Sequence, residues 1–210
     1  MRYNELTFQG RNAVLEAFRS GKTIDKLFIL DGCQDGPIKS IVREAKKTDA
    51  IINYVDKERL DRLAGTGHHQ GVVAIGAAYE YAEVDDILAS AKEKGEDPFI
   101  FILDEIEDPH NLGAIIRTAN LAGAHGVIIP KRRAVGLTAT VAKTSAGAIN
   151  YTPVAKVTNI SQTIEELKKQ GLWFVCADMG GETMYNLNLK GPIGLVIGNE
   201  GNGVSRLVKD

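Results

Sequence analysis

Residues 99–130 read FIFILDEIEDPHNLGAIIRTANLAGAHGVIIP: an apolar strand, an acidic loop, an amphipathic helix and a second apolar strand. Both strands are apolar along their whole length, which is expected where helices cover the two faces of a parallel sheet. The alternation continues with strands at Trp173–Ala177 and Gly194–Ile197 and with helices at about 112–123, 138–147 and 160–170. The pattern predicts a parallel-sheet α/β domain over residues 99–210.

The first 78 residues carry a shorter alternation of the same two patterns. A helix is predicted at Arg11–Arg19, with an apolar face made of Ala13, Val14, Ala17 and Phe18. The remaining predicted elements are strands at Lys26–Leu30, Ile51–Val55 and Gly71–Ala77 and helices at Pro37–Lys47 and Lys57–Ala64. We expect a small α/β/α domain over residues 1–78, and we interpret the acidic stretch 79–98 as a linker helix.

Composition and charge narrow the classes of function. The net charge is −2, but residues 79–98 alone hold seven acidic and two basic side chains, so the rest of the chain is slightly basic. This distribution permits RNA binding without requiring it. The chain has neither a signal-peptide pattern nor an apolar run long enough to span a membrane, and Cys33 and Cys176 lack CxxC or metal-ligand spacing. We expect a cytoplasmic protein with two free thiols and no membrane partner.

The segment Asp104–Asn120 begins where the first strand of the larger domain ends, which is the edge where α/β proteins place their sites. Asn111 occupies the expected N-cap position of the following helix. Arg117 lies at the edge of the predicted buried stripe, which consists of Leu112, Ile115, Ile116 and Ala119. Two interpretations stay open: a capped amphipathic helix with a solvated arginine, or a site that uses both polar residues.

The segment Gly194–Val204, GLVIGNEGNGV, follows another buried strand and places Glu200 between glycines. Glycines allow backbone groups to approach a ligand closely, but they also serve purely structural turns. The spacing matches neither a Walker A loop, which needs GK[ST], nor a dinucleotide fingerprint, which falls on the first strand of its fold. The segment therefore indicates either a ligand loop or a glycine turn.

Two further segments have simpler interpretations. The run Lys131-Arg132-Arg133, with Lys143 nearby, is either a solvated loop or a patch that contacts phosphates. The adjacent residues His68 and His69 would point in different directions on any regular element, so a turn before the next strand is favoured over metal binding. No metal cluster is recognisable from spacing.

Taken in order, these segments resemble the SpoU/TrmH family of the SPOUT superfamily. The family's first motif matches Asp104–Thr118, and its second matches Leu195–Gly203, LVIGNEGNG. The connecting residues 123–148, the N-terminal GRNAVLEAF and the HQGVVA of residues 69–74 also match, so the resemblance covers nearly the whole chain. It implies a Rossmann-like domain with a C-terminal trefoil knot, a homodimer, and an N-terminal domain that binds the RNA substrate.

The resemblance also implies an activity: 2′-O-methylation of a ribose, with S-adenosyl-L-methionine as methyl donor. The nearest type methylates a guanosine in large-subunit ribosomal RNA. The alternatives are a tRNA or antibiotic-resistance ribose methylase of the same family, or a catalytically silent factor in RNA binding or ribosome assembly. No metal is expected to take part.

Individual roles carry over from the family motifs. The implied catalytic residues are Asn111, Arg117 and Glu200, with Glu200 expected to pair with or position Arg117. The implied cofactor-binding residues are Gly198, Asn199, Glu200, Gly201 and Ala177, and the implied RNA-binding residues are Lys131, Arg132, Arg133 and Arg11. A third family motif, which completes the knot and the cofactor pocket, does not occur in the 210 residues, so the expected knotted domain is C-terminally incomplete.

Overall fold

The computed structural model describes residues 6–48, 50–65 and 67–209, and the chain divides into two compact units. The first unit extends to Glu80 and includes Gly136–Ala139, where the Leu137 carbonyl accepts a hydrogen bond from the Ala78 amide. The second unit comprises Tyr81–Val135 and the chain from Thr140 onward.

The first unit is a four-stranded mixed sheet with three helices. Its strands are β1 (Leu6–Gln9), β2 (Ile24–Leu30), β3 (Ile51–Val55) and β4 (Val72–Gly76), and its helices are α1 (Arg11–Arg19), α2 (Gly36–Lys47) and α3 (Lys57–Ala64). The strand order is β1-β4-β2-β3, with β2 and β3 parallel and the other pairs antiparallel. The helices and three of the strands were predicted; the edge strand β1 was not.

Helix α1 packs on the sheet through Val14, Ala17 and Phe18, which are buried. The prediction that Ala13 shares this face was wrong, because the Ala13 side chain is exposed. The buried face of the helix consists of the other three residues. His69 lies between α3 and β4 in the chain, where a turn was expected. Its Nδ1 accepts a hydrogen bond from the Gly71 amide at 2.9 Å, so its Nε2 carries the proton shared with Asp61.

The second unit contains a parallel sheet, as predicted, and this sheet has five strands. Its strands are β5 (Phe99–Leu103), β6 (Gly126–Pro130), β7 (Val154–Val157), β8 (Trp173–Ala177) and β9 (Ile193–Ile197), in the order β7-β6-β5-β9-β8. Its helices are α4 (Val84–Lys94), α5 (Pro109–Leu121), α6 (Ala139–Thr144), α7 (Ile160–Lys169) and α8 (Arg206–Lys209). The short strand β7 was not predicted.

Helix α4 belongs to the second unit, so the interpretation of residues 79–98 as a linker helix was wrong for this element. Ile87 is fully buried and shares a core with Ile100 of β5 and Ile128 of β6. The contact is so close that a Cβ on Gly126 would lie 2.5 Å from the Ile87 side chain. The acidic surface of α4 hid a short apolar face, as is common for a helix that covers a sheet.

Helix α5 starts two residues earlier than Asn111, so the predicted N-cap was also wrong. The N-cap is Asp108, whose side chain accepts a hydrogen bond from the His110 amide, and Pro109 follows at the first helical position. Of the predicted stripe, Ile115 is only half-buried, and the small residue Gly113 is buried in its place. This glycine lies against Thr144 at the end of α6.

Candidate active site

The loops that follow β5 and β9 lie side by side, because these two strands are parallel neighbours and their carboxyl ends meet at one sheet edge. Three hydrogen bonds join the loops. They run from the Ser205 amide to the Asp104 carboxylate at 2.7 Å, from the Asn199 side chain to the Glu105 carbonyl at 2.9 Å, and from the Asn111 side chain to the Glu200 carboxylate at 3.2 Å.

The Asn111–Glu200 contact joins the two sequence motifs across 89 residues of chain. Both residues line a cavity of about 420 Å³, together with Ile106, Glu107, Asp108, Asn199 and Gly201. Three of these seven residues are carboxylates and two are amides, so the cavity repels phosphate and offers hydrogen bonds to hydroxyl groups or to a cation. Four residues predicted for the site, Asn111, Asn199, Glu200 and Gly201, are thus brought together.

Gly198 is required by the turn itself. A Cβ at this position would lie 2.1 Å from the Gly203 carbonyl carbon and 2.2 Å from the Val204 nitrogen. The turn closes through paired backbone hydrogen bonds between Asn199 and Gly203, at 3.0 and 2.8 Å. For Gly198 the structure therefore supports the glycine-turn interpretation, since the space that a side chain would need is filled by the protein's own backbone.

Ala177 lies at the end of β8 and lines a second, larger groove of about 710 Å³. Most of the lining is apolar, including Val175, Leu195 and Leu189, and the groove also holds the carboxyl-bearing residues Asp178 and Glu182. Partial burial raises the pKa of the neighbouring Cys176 thiol, and the negative charge of Asp178 raises it further. An ion pair with Lys209 lowers the pKa of the Asp178 carboxyl.

Arg117 does not line either cavity, and the expected pair between Glu200 and Arg117 is not formed. Six residues separate Arg117 from Asn111 along α5, which corresponds to about 9 Å of rise and to a different helix face. The side chain is exposed, and within residues 6–48, 50–65 and 67–209 its guanidinium has no hydrogen-bond or ion-pair partner. Such an arginine is available to a ligand from outside the subunit.

The residues predicted to bind RNA differ in their surroundings. Arg132 is exposed, Lys131 is half-buried, and Arg133 donates a hydrogen bond to the Glu105 carboxylate at 2.9 Å, which raises the pKa of the Arg133 guanidinium. Arg11, in the first unit, forms an ion pair with Asp35. Arg11 and Arg133 thus already have acidic partners that a phosphate would have to displace.

Two residues that matter to the site were not predicted. Asp104 is buried and anchors the β9 loop through Ser205, and Glu105 takes a left-handed backbone conformation, with φ of 59°, while its carbonyl accepts from Asn199. The signal available in the sequence was an acidic pair placed directly after a buried strand. Spacing alone does not tell which of the four acidic residues between 104 and 108 face the partner loop.

The described residues also bear on two other classes of function. In the described ranges, no helix is long and apolar enough to cross a membrane. In the same part of the chain, no group of three or more His, Cys, Asp or Glu side chains is arranged to hold a metal ion.

The fold and the site together define an α/β protein with a cavity beyond the carboxyl ends of two neighbouring parallel strands. The chain belongs to the SpoU rRNA methylase family, whose model matches residues 98–210. Residues 9–82 match a second family model, described as RNA 2′-O ribose methyltransferase substrate binding. The predicted family is therefore confirmed.

Relatives support the same assignment over almost the whole chain. The YacO protein of Bacillus subtilis strain 168, assigned to the TrmH family of tRNA/rRNA methyltransferases, is 52% identical over 202 residues, which cover 96% of this chain and 81% of that protein. A TrmH-family relative from Staphylococcus haemolyticus is 48% identical over 207 residues, covering 98% and 83%.

Solved structures show the same fold. The SpoU methyltransferase AviRb from Streptomyces viridochromogenes, in complex with AdoMet, matches with a TM-score of 0.56 at 20% identity and covers 98% of this chain and 77% of its own. An rRNA methyltransferase from Sinorhizobium meliloti matches with a TM-score of 0.54 at 22% identity, covering 98% and 75%. The prediction of S-adenosyl-L-methionine as cofactor agrees with membership in this methylase family.

Proposed function

We propose that this protein transfers a methyl group from S-adenosyl-L-methionine to a ribose 2′-hydroxyl in RNA. The observation that carries the proposal is the Asn111–Glu200 contact, which brings the two family motifs together over a cavity suited to hydroxyl groups. The finer proposal is that the target is a guanosine of large-subunit ribosomal RNA. A homodimer, a knotted C-terminal segment and a cytoplasmic location complete the proposal.

The residues around the second groove fit the proposed cofactor. Its volume of about 710 Å³ lies within the usual range of small-molecule sites. Val175, Ala177 and Leu195 would pack against the adenine ring, and carboxylates such as Glu182 would favour the positively charged end of the molecule. When bound, the cofactor supplies a methyl group on a positively charged sulfur.

Within the smaller cavity, Glu200 is the residue that we propose to accept the ribose proton. One of its carboxylate oxygens accepts from Asn111, and the other faces no described donor at hydrogen-bond distance. A positioned carboxylate that removes a proton in the transition state contributes about 10²–10⁴-fold to a rate. Asn111 holds the carboxylate in place by donating a hydrogen bond to one of its oxygens.

Arg117 is better suited to hold a phosphate next to the reacting ribose than to remove its proton. A guanidinium does not deprotonate in proteins, and this one is exposed without a partner in the described part of the chain. Arg132 would add a second phosphate contact. The first unit, which matches the substrate-binding family model, would also bind the RNA substrate.

A methylation assay on separated RNA classes tests the proposal. Purified protein and the methyl donor are incubated with large-subunit rRNA, small-subunit rRNA and tRNA from a strain that lacks the gene, and 2′-O-methyl sites are mapped by their resistance to alkaline hydrolysis. We expect one new guanosine site in large-subunit rRNA. A new site only in tRNA would move the protein to the other substrate class. RNA binding without methyl transfer to any RNA class would contradict the proposal and identify a silent RNA-binding factor.

A further inference from the structure

Asn199 precedes Glu200, and its side-chain amide is occupied by the protein itself. Its Oδ1 accepts from the Gly201 amide at 2.8 Å and from the Asn202 amide at 3.2 Å, while its Nδ2 donates to the Glu105 carbonyl at 2.9 Å. Because two amides face one end and a carbonyl faces the other, the orientation of the group is fixed by its partners. The family resemblance implied a cofactor contact for Asn199, which these three bonds do not favour.

Glu105, the partner of this amide, is itself held in an unusual conformation. Its φ of 59° is left-handed, and so is the φ of 55° at Arg133, the residue that donates to its carboxylate. A non-glycine residue in this region is strained and persists only where its surroundings fix it. The Glu105 carbonyl is therefore a fixed point on the β5 loop, to which Asn199 ties the β9 loop.

The tie determines where the Glu200 carboxylate lies. Glu200 is exposed and sits within the turn that Asn199 and Gly203 close, so the carboxylate moves with that turn. Its partner Asn111 lies on α5, which follows the β5 loop. A turn that is hydrogen-bonded to Glu105 keeps Glu200 within hydrogen-bond distance of Asn111. A turn without that bond would allow Glu200 to move away from Asn111.

We propose that Asn199 is a positioning residue for Glu200, acting through its hydrogen bond to the Glu105 carbonyl rather than through contact with the cofactor. The inference rests on the proposed function, since it assumes that Glu200 takes part in methyl transfer. It makes a prediction that a ligand role would not: the methyl donor should bind normally when the bond is lost.

The substitution Asn199→Asp removes the bond selectively. The new carboxylate can still accept from the Gly201 and Asn202 amides, but it cannot donate to the Glu105 carbonyl. We expect kcat to fall about tenfold, because Glu200 keeps its carboxylate but loses its fixed position, with the affinity for S-adenosyl-L-methionine changed less than threefold by calorimetry. Asn202→Asp is the matched control, because it adds the same charge three residues away at an exposed side chain, and it should leave both quantities unchanged.

A double-mutant cycle with Glu200→Gln then separates the explanations. If Asn199 acts only through Glu200, Asn199→Asp has no further effect on kcat in the Glu200→Gln background. An undiminished fall in that background, or a large loss of cofactor affinity, would overturn the inference. Asn199→Ser, which keeps an acceptor for the turn but cannot reach Glu105, should reproduce the result if the aspartate variant folds poorly. Failure of the proposed function looks different, because the unaltered protein would then transfer no methyl group to RNA.

Discussion

The substitution Gly113→Ala tests the close approach of α5 to α6. A Cβ there would lie 1.8 Å from Thr144 Oγ1 and 3.0 Å from the backbone nitrogen of Ser145, so rotation of Thr144 alone does not make room. Overpacking costs about 1–3 kcal/mol, and alanine regains about 1 kcal/mol of helix propensity. Because this clash extends to a helix backbone, we expect a net loss of about 2 kcal/mol. In a protein of this size that lowers Tm by about 4–8 °C.

Trp173 reports the unfolding of the second structural unit, which contains Gly113, because it is the single tryptophan of the chain and lies on β8. Its fluorescence is followed during thermal unfolding of Gly113→Ala and of the control Gly36→Ala. Gly36 is also helical, but a Cβ there meets nothing within 4 Å, so the control should leave Tm unchanged or raise it slightly. Adding Thr144→Gly to Gly113→Ala should recover part of the loss. Equal Tm values for the two alanine variants would refute the close approach as a source of stability.

Three further outcomes are expected. Arg117→Ala lowers kcat for RNA methylation by about 10²-fold with Tm unchanged, whereas the neighbouring exposed change Thr118→Ala has no effect; equal activities would remove Arg117 from the site. Either Glu105→Arg or Arg133→Glu alone breaks the ion pair and lowers kcat about two- to fivefold, as expected for a weak surface pair. The double variant, which exchanges the two charges, recovers part of the lost activity. Additive losses in the double variant would contradict a direct interaction. In a Cys33→Ser background, the Cys176 thiol reacts with iodoacetamide more slowly than the thiol of glutathione does at mildly alkaline pH, because the raised pKa of Cys176 leaves less thiolate. Bound S-adenosylhomocysteine slows the reaction further. A rate above that of glutathione would contradict the pKa shift.

Periodicity predicted the elements that bury a regular face. Helix α3 was placed at its observed bounds, and the structure shows that Asp56 caps its start and Gly65 ends it. The strands β1 and β7 were missed because each has four residues, too few for a period of two to be recognised. Helix α4 was taken for a linker because most of its surface is charged and its apolar face is short, although Ile87 packs closely against Gly126.

The candidate site was predictable in its residues but not in its contacts. Asn111 and Glu200 follow strands that are far apart in sequence, and only the insertion of β9 beside β5 makes them neighbours. Strand order is a property of tertiary packing, so local pattern cannot supply it. The same limit explains why the predicted pair between Glu200 and Arg117 does not form. Family motifs indicate which residues matter, whereas the helix geometry decides which of them are in contact.

The position of β9 has a consequence for how the protein is made. β9 is the last strand along the described chain, yet it lies between β5 and β8 in the sheet, and β8 has no other strand partner among the described strands. During synthesis, therefore, one edge of β5 stays unpaired for about 90 residues of translation, which takes roughly 5–18 s at about 5–20 residues per second. That edge is apolar and open to pairing with other chains. The central pairing of the sheet can thus form only after residues up to Ile197 have left the ribosome.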